Sequence, residues 1–203
     1  MSEENNRNQI AELSKYFHSR GWSLATSSNY SFRKSDASIC ITSSGHDKSQ
    51  LESKDLMIVD LKGGTLDGES RKPSAETLLH CLVYGMFPGV NCVLHTHSVY
   101  ATVLSMRITN LVQGIQIGGY EMLKALPGFN THESVLDIPV FANEQDMASL
   151  SQKIEGALTH ESHAFIIQGH GMYAWGEDIQ KTKHQVEALE FLLECEYRAR
   201  MMA

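Results

Sequence analysis

Ser38-Ile39-Cys40-Ile41-Thr42 is a short β-branched run that closes on the turn residues Ser43-Ser44-Gly45, and it reads as a strand. Upstream, the turn-rich Thr26-Ser27-Ser28-Asn29 leads into Tyr30-Ser31-Phe32. Downstream, Leu56 to Leu61 is another strand, ended by Gly63-Gly64. No helical stripe separates these segments. Early strands that follow one another without intervening helices predict a mixed, largely antiparallel central sheet covered by helices, an α/β arrangement distinct from a doubly wound parallel one.

Helices flank this block. Ile10, Leu13 and Phe17 recur at helical spacing and stop at Gly21, a C-cap residue. Ala75, Leu78, Leu79, Leu82, Val83 and Met86 form an apolar stripe, with Pro73 and Ser74 where a helix start wants them. Val90 to His97 is then a short strand and Val99 to Met106 a helix. Leu111 to Ile117 reads as extended, Glu121 to Leu126 as a helical turn stopped by Pro127-Gly128, and Asp137 to Phe141 as a strand. Asn143 is placed to cap a helix bearing Met147, Leu150, Ile154 and Leu158. Ala164 to Gln168 is a strand that runs into Gly169-His170-Gly171, and the last helix carries Ile179, Val186, Leu189 and Leu193. With no repeat, low-complexity run or Pro/Ser-rich linker, residues 1–203 are expected to form one domain.

The net charge of −7 argues against a nucleic-acid or anionic-membrane surface, which needs a basic footprint. No stretch approaches the roughly 20 apolar residues that a membrane span requires. The polar N-terminus MSEENNRNQ has no apolar core of a signal peptide, so a cytoplasmic protein is expected. Cys40, Cys81, Cys92 and Cys195 form no CxxC pair and read as reduced, mostly buried thiols.

The chemistry is carried by histidines. Side chains two apart on a strand project to the same side, so His95 and His97 can chelate one metal while Thr96 points away. Catalytic zinc typically takes three protein ligands and leaves a position open. His170 lies between two glycines just past a strand, where the backbone can approach another strand closely. A His-Thr-His pair alone fits two ordinary core or solvated histidines equally well. Its place after Val93-Leu94, where the strand leaves the core, favours a site. His18, His46, His80, His132, His160, His163 and His184 are scattered and read as ordinary residues.

Ser74-Ala75-Glu76, His95-Thr96-His97-Ser98 and Gly169-His170-Gly171-Met172-Tyr173-Ala174-Trp175-Gly176 together resemble the class II aldolase/adducin family, over nearly the whole chain. Tyr120-Glu121-Met122-Leu123-Lys124 and Thr26–Ser31 are more similar to its dehydratases than to its aldolases. The resemblance implies a single-domain three-layer αβα sandwich, a homotetramer with sites at subunit interfaces, and one zinc ion per subunit on His95, His97 and His170. It also implies a phosphorylated ketose substrate, with phosphate contacts from Asn29, Ser44, Gly45 and Ser74. Ala75 stands where related aldolases have a second serine.

Dehydration beside a ketone needs a Lewis acid on the carbonyl and a group that moves protons. Glu121 is the expected general acid/base, although its local context also fits a first-turn residue facing a helix dipole. Glu76 is the second carboxylate, a fourth ligand or a proton carrier. Ser44-Gly45 and Ser74 suit an anion through backbone N–H groups and hydroxyls, or serve ordinary turns. Lys48 and Lys72 are nearby but read as solvated surface lysines. The alternatives are a sugar-phosphate aldolase or 4-epimerase on the same fold, separated by Glu121, and a non-catalytic adducin-like interaction domain, which would have lost its ligands.

Overall fold

A computed structural model describes residues 2–66, 68, 71–109 and 114–202 of the chain. The chain runs α1 (Glu3–Ser19), β1 (Asn29–Ser35), β2 (Ser38–Thr42), β3 (Leu56–Asp60), α2 (Thr77–Met86), β4 (Cys92–Thr96), α3 (Val99–Met106), β5 (Ile115–Gly118), β6 (Val135–Ile138), β7 (Val140–Phe141), α4 (Met147–Glu155), β8 (Ala164–Ile167), β9 (Gly171–Gly176) and α5 (Ile179–Met202). Seven strands form one sheet in the order β3-β2-β1-β4-β9-β8-β7. Every pairing in it is antiparallel except β7 with β8, as the run of early strands predicts.

Alternation along the strands divides the apolar residues into two cores. Cys40, Cys92, Leu94, Ile166, Met172 and Ala174 face α1, α3 and α5. Ile39, Ile41, Val93, Phe165, Tyr173 and Trp175 face α2 and α4. Both faces of the central strands are therefore covered, which is the physical content of an αβα sandwich. Among the described residues no helix is long and apolar enough to cross a membrane.

Several local expectations change. The stretch read as one strand from Asp137 is two, because Pro139 cannot donate to a ladder. β6 pairs with β5 in a separate two-stranded sheet, and β7 joins the main sheet. The cap of α4 is Asp146, which accepts from the amides of Ala148 and Ser149, and Asn143 lies outside the helix. Regular helix in α2 starts at Thr77, with Glu76 at the N-cap. Ser74 instead sits in the preceding turn, where its hydroxyl accepts from the Glu76 amide at 3.3 Å. β9 is an additional strand that the sequence patterns did not indicate. The expected extended segment begins at Ile115, and its residues 111–113 lie outside the described ones.

Candidate active site

β4 lies at the centre of the sheet and brings His95 and His97 to the α2 face. Their Nε2 atoms are 2.8 Å apart. His95 is fully buried between strands, and its Nδ1 lies 3.0 Å from the Met172 carbonyl. A ring nitrogen facing a carbonyl must carry the proton, so His95 turns a lone pair on Nε2 toward the cluster. Tyr173, its partner across the β4–β9 ladder, stacks on the imidazole with centroids 4.0 Å apart.

His170 enters from the β8–β9 turn. Gly169 adopts φ +66°, the left-handed conformation that L side chains avoid. A Cβ on Gly171 would stand 2.1 Å from the Thr96 carbonyl and 2.9 Å from His95 Cε1, so only glycine lets β9 approach β4 here. The end of α3 and the residues just after it hold the turn: the Gly169 amide donates to Ser105 Oγ at 3.0 Å, and the Gln168 amide side chain donates to the carbonyls of Ser105 and Ile108.

The fourth member is Glu76, at the start of α2. Its carboxylate lies 3.0 Å from His170 Nε2 and 3.7 Å from His95 Nε2. One donor atom from each of Glu76, His95, His97 and His170 falls within 4.8 Å of all the others. Burial holds His95 far below the ordinary imidazole range and His97 down to about 4, in both cases with the neighbouring imidazoles adding to it. Burial opposes ionisation of Glu76. The hydrogen bond to His170, the facing imidazoles and the Asn29 amide outweigh it and hold the carboxyl well below its usual value. The unprotonated rings of His95 and His97, converging with the His170 ring and an ionised carboxylate, form the donor set that a borderline divalent cation takes, so these residues fit a resident metal.

A chain of buried polar groups supports Glu76. Tyr84 Oη lies 2.9 Å from Ser31 Oγ, which lies 2.7 Å from His80 Nδ1. His80 Nε2 contacts Asn29 Oδ1, and the Asn29 amide donates to the Glu76 carboxylate. Burial pushes His80 down to about 3, so the ring is neutral. With its proton on Nε2, it forces the Asn29 NH2 to face Glu76. His80 was overlooked in the sequence. It stands four residues after Glu76 and therefore shares its helix face, a spacing that could have revealed it.

Beside the cluster opens a cavity of about 140 Å³. Asn29, Ser44, Gly45 and Ser74, the four residues that the resemblance implies as phosphate contacts, line it together with Thr26, Ser27, Ser28, Thr42 and Ser43. Glu76 and His97 belong to both cavity and cluster. The backbone around it is specialised: Ser28 has φ +73° and Gly45 φ +84°. Lys48 also lines the cavity and is only 1 % exposed, so it is no surface lysine. Glu121, in a 3-10 turn over Glu121–Ala125, is placed elsewhere. Its side chain is 71 % exposed, with Lys124 at 2.6 Å and His132 at 3.7 Å, and it is not among the residues lining the cavity.

The fold and this site define a class. The profile of the class II aldolase and adducin N-terminal domain family matches residues 8–197, and the chain belongs to that family. Within it, the chain is 46% identical over 202 residues to a methylthioribulose-1-phosphate dehydratase of Pseudomonas syringae pv. syringae, covering 98% of each chain. It is 44% identical to one of a Picosynechococcus species, covering 97% of this chain and 94% of the relative. Among solved structures, an L-fuculose-1-phosphate aldolase of Thermus thermophilus superposes with a TM-score of 0.74 at 23% identity, covering 95% and 94% of the two chains. A sugar-phosphate aldolase of Thermotoga maritima superposes with a TM-score of 0.73 at 18% identity, covering 98% and 96%. These two likenesses establish the fold.

Proposed function

We propose that the chain is a zinc-dependent methylthioribulose-1-phosphate dehydratase of methionine salvage, forming 2,3-diketo-5-methylthiopentyl 1-phosphate as a homotetramer with sites at subunit interfaces. The observation that carries this reading is the shared wall of Glu76 and His97, which joins a four-donor cluster to a small hydroxyl-lined cavity. A ketose phosphate is asked to occupy such a pair, with its oxygens at the cluster and its phosphate in the cavity. The identities to named dehydratases support the reaction, and the intact ligand set speaks against a non-catalytic interaction domain.

His95, His97 and His170 would hold the cation, with Glu76 placed to serve as a fourth ligand. A divalent cation held there supplies Lewis acidity toward a carbonyl oxygen. The protein's own residues do the rest. Hydroxyls of Ser44 and Ser74 and the left-handed backbone at Gly45 orient the phosphate. Loss of a proton from C3 and of hydroxide, reprotonated as water, from C4 leaves an enol that becomes the 2,3-diketone. Glu121 moves these protons. Its exposed carboxylate is outside the cavity of its own chain, so on this reading a neighbouring subunit supplies it.

The deciding experiment offers methylthioribulose 1-phosphate beside fuculose 1-phosphate and ribulose 5-phosphate to the zinc-loaded protein. Diketone from the first substrate alone is expected. Retro-aldol fragments or a 4-epimer without diketone would overturn the dehydratase reading in favour of an aldolase or epimerase.

A further inference from the structure

Lys48 is buried where a lysine is expensive. Its backbone is clamped, with the carbonyl accepting from buried Ser14 Oγ at 2.8 Å and the amide donating to the Ala25 carbonyl at 3.3 Å. Its Nζ donates to the carbonyls of His46 at 3.0 Å and Thr26 at 3.3 Å. Asp47 and Glu76 act on it only at longer range, and no carboxylate among the described residues forms an ion pair with it. A buried ammonium bonded only to neutral carbonyls lacks a counter-ion, an arrangement that folds avoid unless something pairs with the charge. Among the described residues, Lys48 is the one lysine or arginine lining the 140 Å³ cavity, whose other walls are mostly hydroxyls. Glu76 is another of its lining residues, and an ionised carboxylate disfavours an anion beside it. Neutral hydroxyls orient a phosphate but do not offset that repulsion, and a fixed cation does.

We propose that Lys48 determines specificity for phosphorylated over free ketoses, by supplying the counter-charge to a phosphate dianion while its two carbonyl bonds hold the Thr26 and His46 loops around it. This rests on reading the cavity as the phosphate end of a ketose phosphate site.

Lys48→Gln keeps an N–H donor for the carbonyls and removes the charge, whereas Lys48→Arg keeps the charge. In the zinc-loaded tetramer, Lys48→Gln is expected to raise KM for methylthioribulose 1-phosphate at least tenfold with kcat changed only a few-fold, and to weaken competitive inhibition by inorganic phosphate equally. Lys48→Arg is expected to retain more of both. An unchanged KM and an unchanged phosphate inhibition constant in Lys48→Gln would overturn the proposal. Should Lys48→Gln fail to fold, the wild type carries the test. With 13C-labelled lysine, the ε-carbon resonance that is missing from Lys48→Arg must shift as inorganic phosphate saturates the protein; phosphate binding without that shift overturns it. If the wild type binds phosphate through Lys48 yet makes no diketone, the dehydratase reading fails and the Lys48 assignment stands.

Discussion

Thr96 Oγ1 donates to Glu190 Oε1 at 2.9 Å, on the face of β4 opposite the two imidazoles. The strand that presents His95 and His97 is thus tied through its intervening residue to α5. The second oxygen of Glu190 is buried with no hydrogen-bond partner among the described residues. Burial, opposed by bonds from Ser98 and Thr96, raises this carboxyl from 4.5 to about 7. The sign follows from linkage. The folded state binds this proton more tightly than the unfolded chain, so the carboxyl's contribution is whole below about pH 4.5 and is lost as pH rises through about 7. Glu190→Gln mimics the protonated form. It is expected to leave melting near pH 4.5 almost unchanged and to stabilise the protein above pH 7 by up to about 3 kcal/mol. Melting curves of both proteins in matched buffers test this, and a difference that does not depend on pH would refute it.

Gly171→Ala should break the metal site without removing a ligand. The added methyl would meet the Thr96 carbonyl at 2.1 Å, so β9 must withdraw from β4 and carry His170 away from His95. Metal content after reconstitution should fall well below stoichiometric, with a loss of stability of roughly 1–3 kcal/mol from the forced backbone shift. Full zinc occupancy and normal melting would show that the close approach is dispensable.

His80→Phe removes the donor that orients Asn29. The amide is then free to flip, and Glu76 loses a fixed partner. Support of this kind is typically worth 10–100-fold in metal affinity, so the loss of zinc to a competing chelator should accelerate by a similar factor. His80→Gln, which restores an N–H donor, should recover part of it. Equal affinity in all three proteins would mean that the buried chain from Tyr84 to Glu76 is only packing.

Glu76→Gln separates ligation from proton transfer. If Glu76 is the fourth ligand, zinc affinity drops while His95, His97 and His170 still retain some metal, and saturating zinc restores much of the rate. If it carries a proton, zinc content stays normal and kcat falls by about 10²–10⁴-fold. The proximity of its oxygens to His170 and His95 favours the first outcome.

What was readable in the chain divides along physical lines. Period-two patterns in Ser38–Thr42 and the shared face of His95 and His97 are local, so strand geometry alone fixes where those side chains go. The glycines around His170 signalled a close approach that Gly171 makes against Thr96. Lys48 and His80 were passed over because their identity is not informative without neighbours. A lysine's burial depends on which carbonyls it meets, and those come from the loops at Thr26 and His46. The start of α2 moved for a related reason. Ser74 can cap a helix or close a turn, and here its hydroxyl serves the turn before Glu76. β9 was missed as a strand because Gly171–Gly176 has a glycine at either end and is buried on both faces, which erases alternation.

Glu121 poses the sharpest question, since its carboxylate is 71 % exposed and bound to Lys124 and His132 while the cluster lies in another part of the same chain. On the proposed reading two copies share a site, and sharing has a consequence that no single-chain arrangement can mimic. Glu121→Gln is expected to lower kcat by at least about 10²-fold with normal zinc content. His97→Ala is expected to lose metal and activity. Each pure protein should be nearly inactive. Hybrids formed by co-expressing the two with different affinity tags should regain activity, because some interfaces then combine an intact Glu121 from one subunit with an intact metal cluster from the other. If Glu121 acted within its own chain, every site in the hybrid would lack one of the two groups and no activity would return. Hybrids that remain inactive, although Glu121→Gln alone is impaired, would place the carboxylate's action in its own chain. An active Glu121→Gln would instead remove Glu121 from the chemistry altogether.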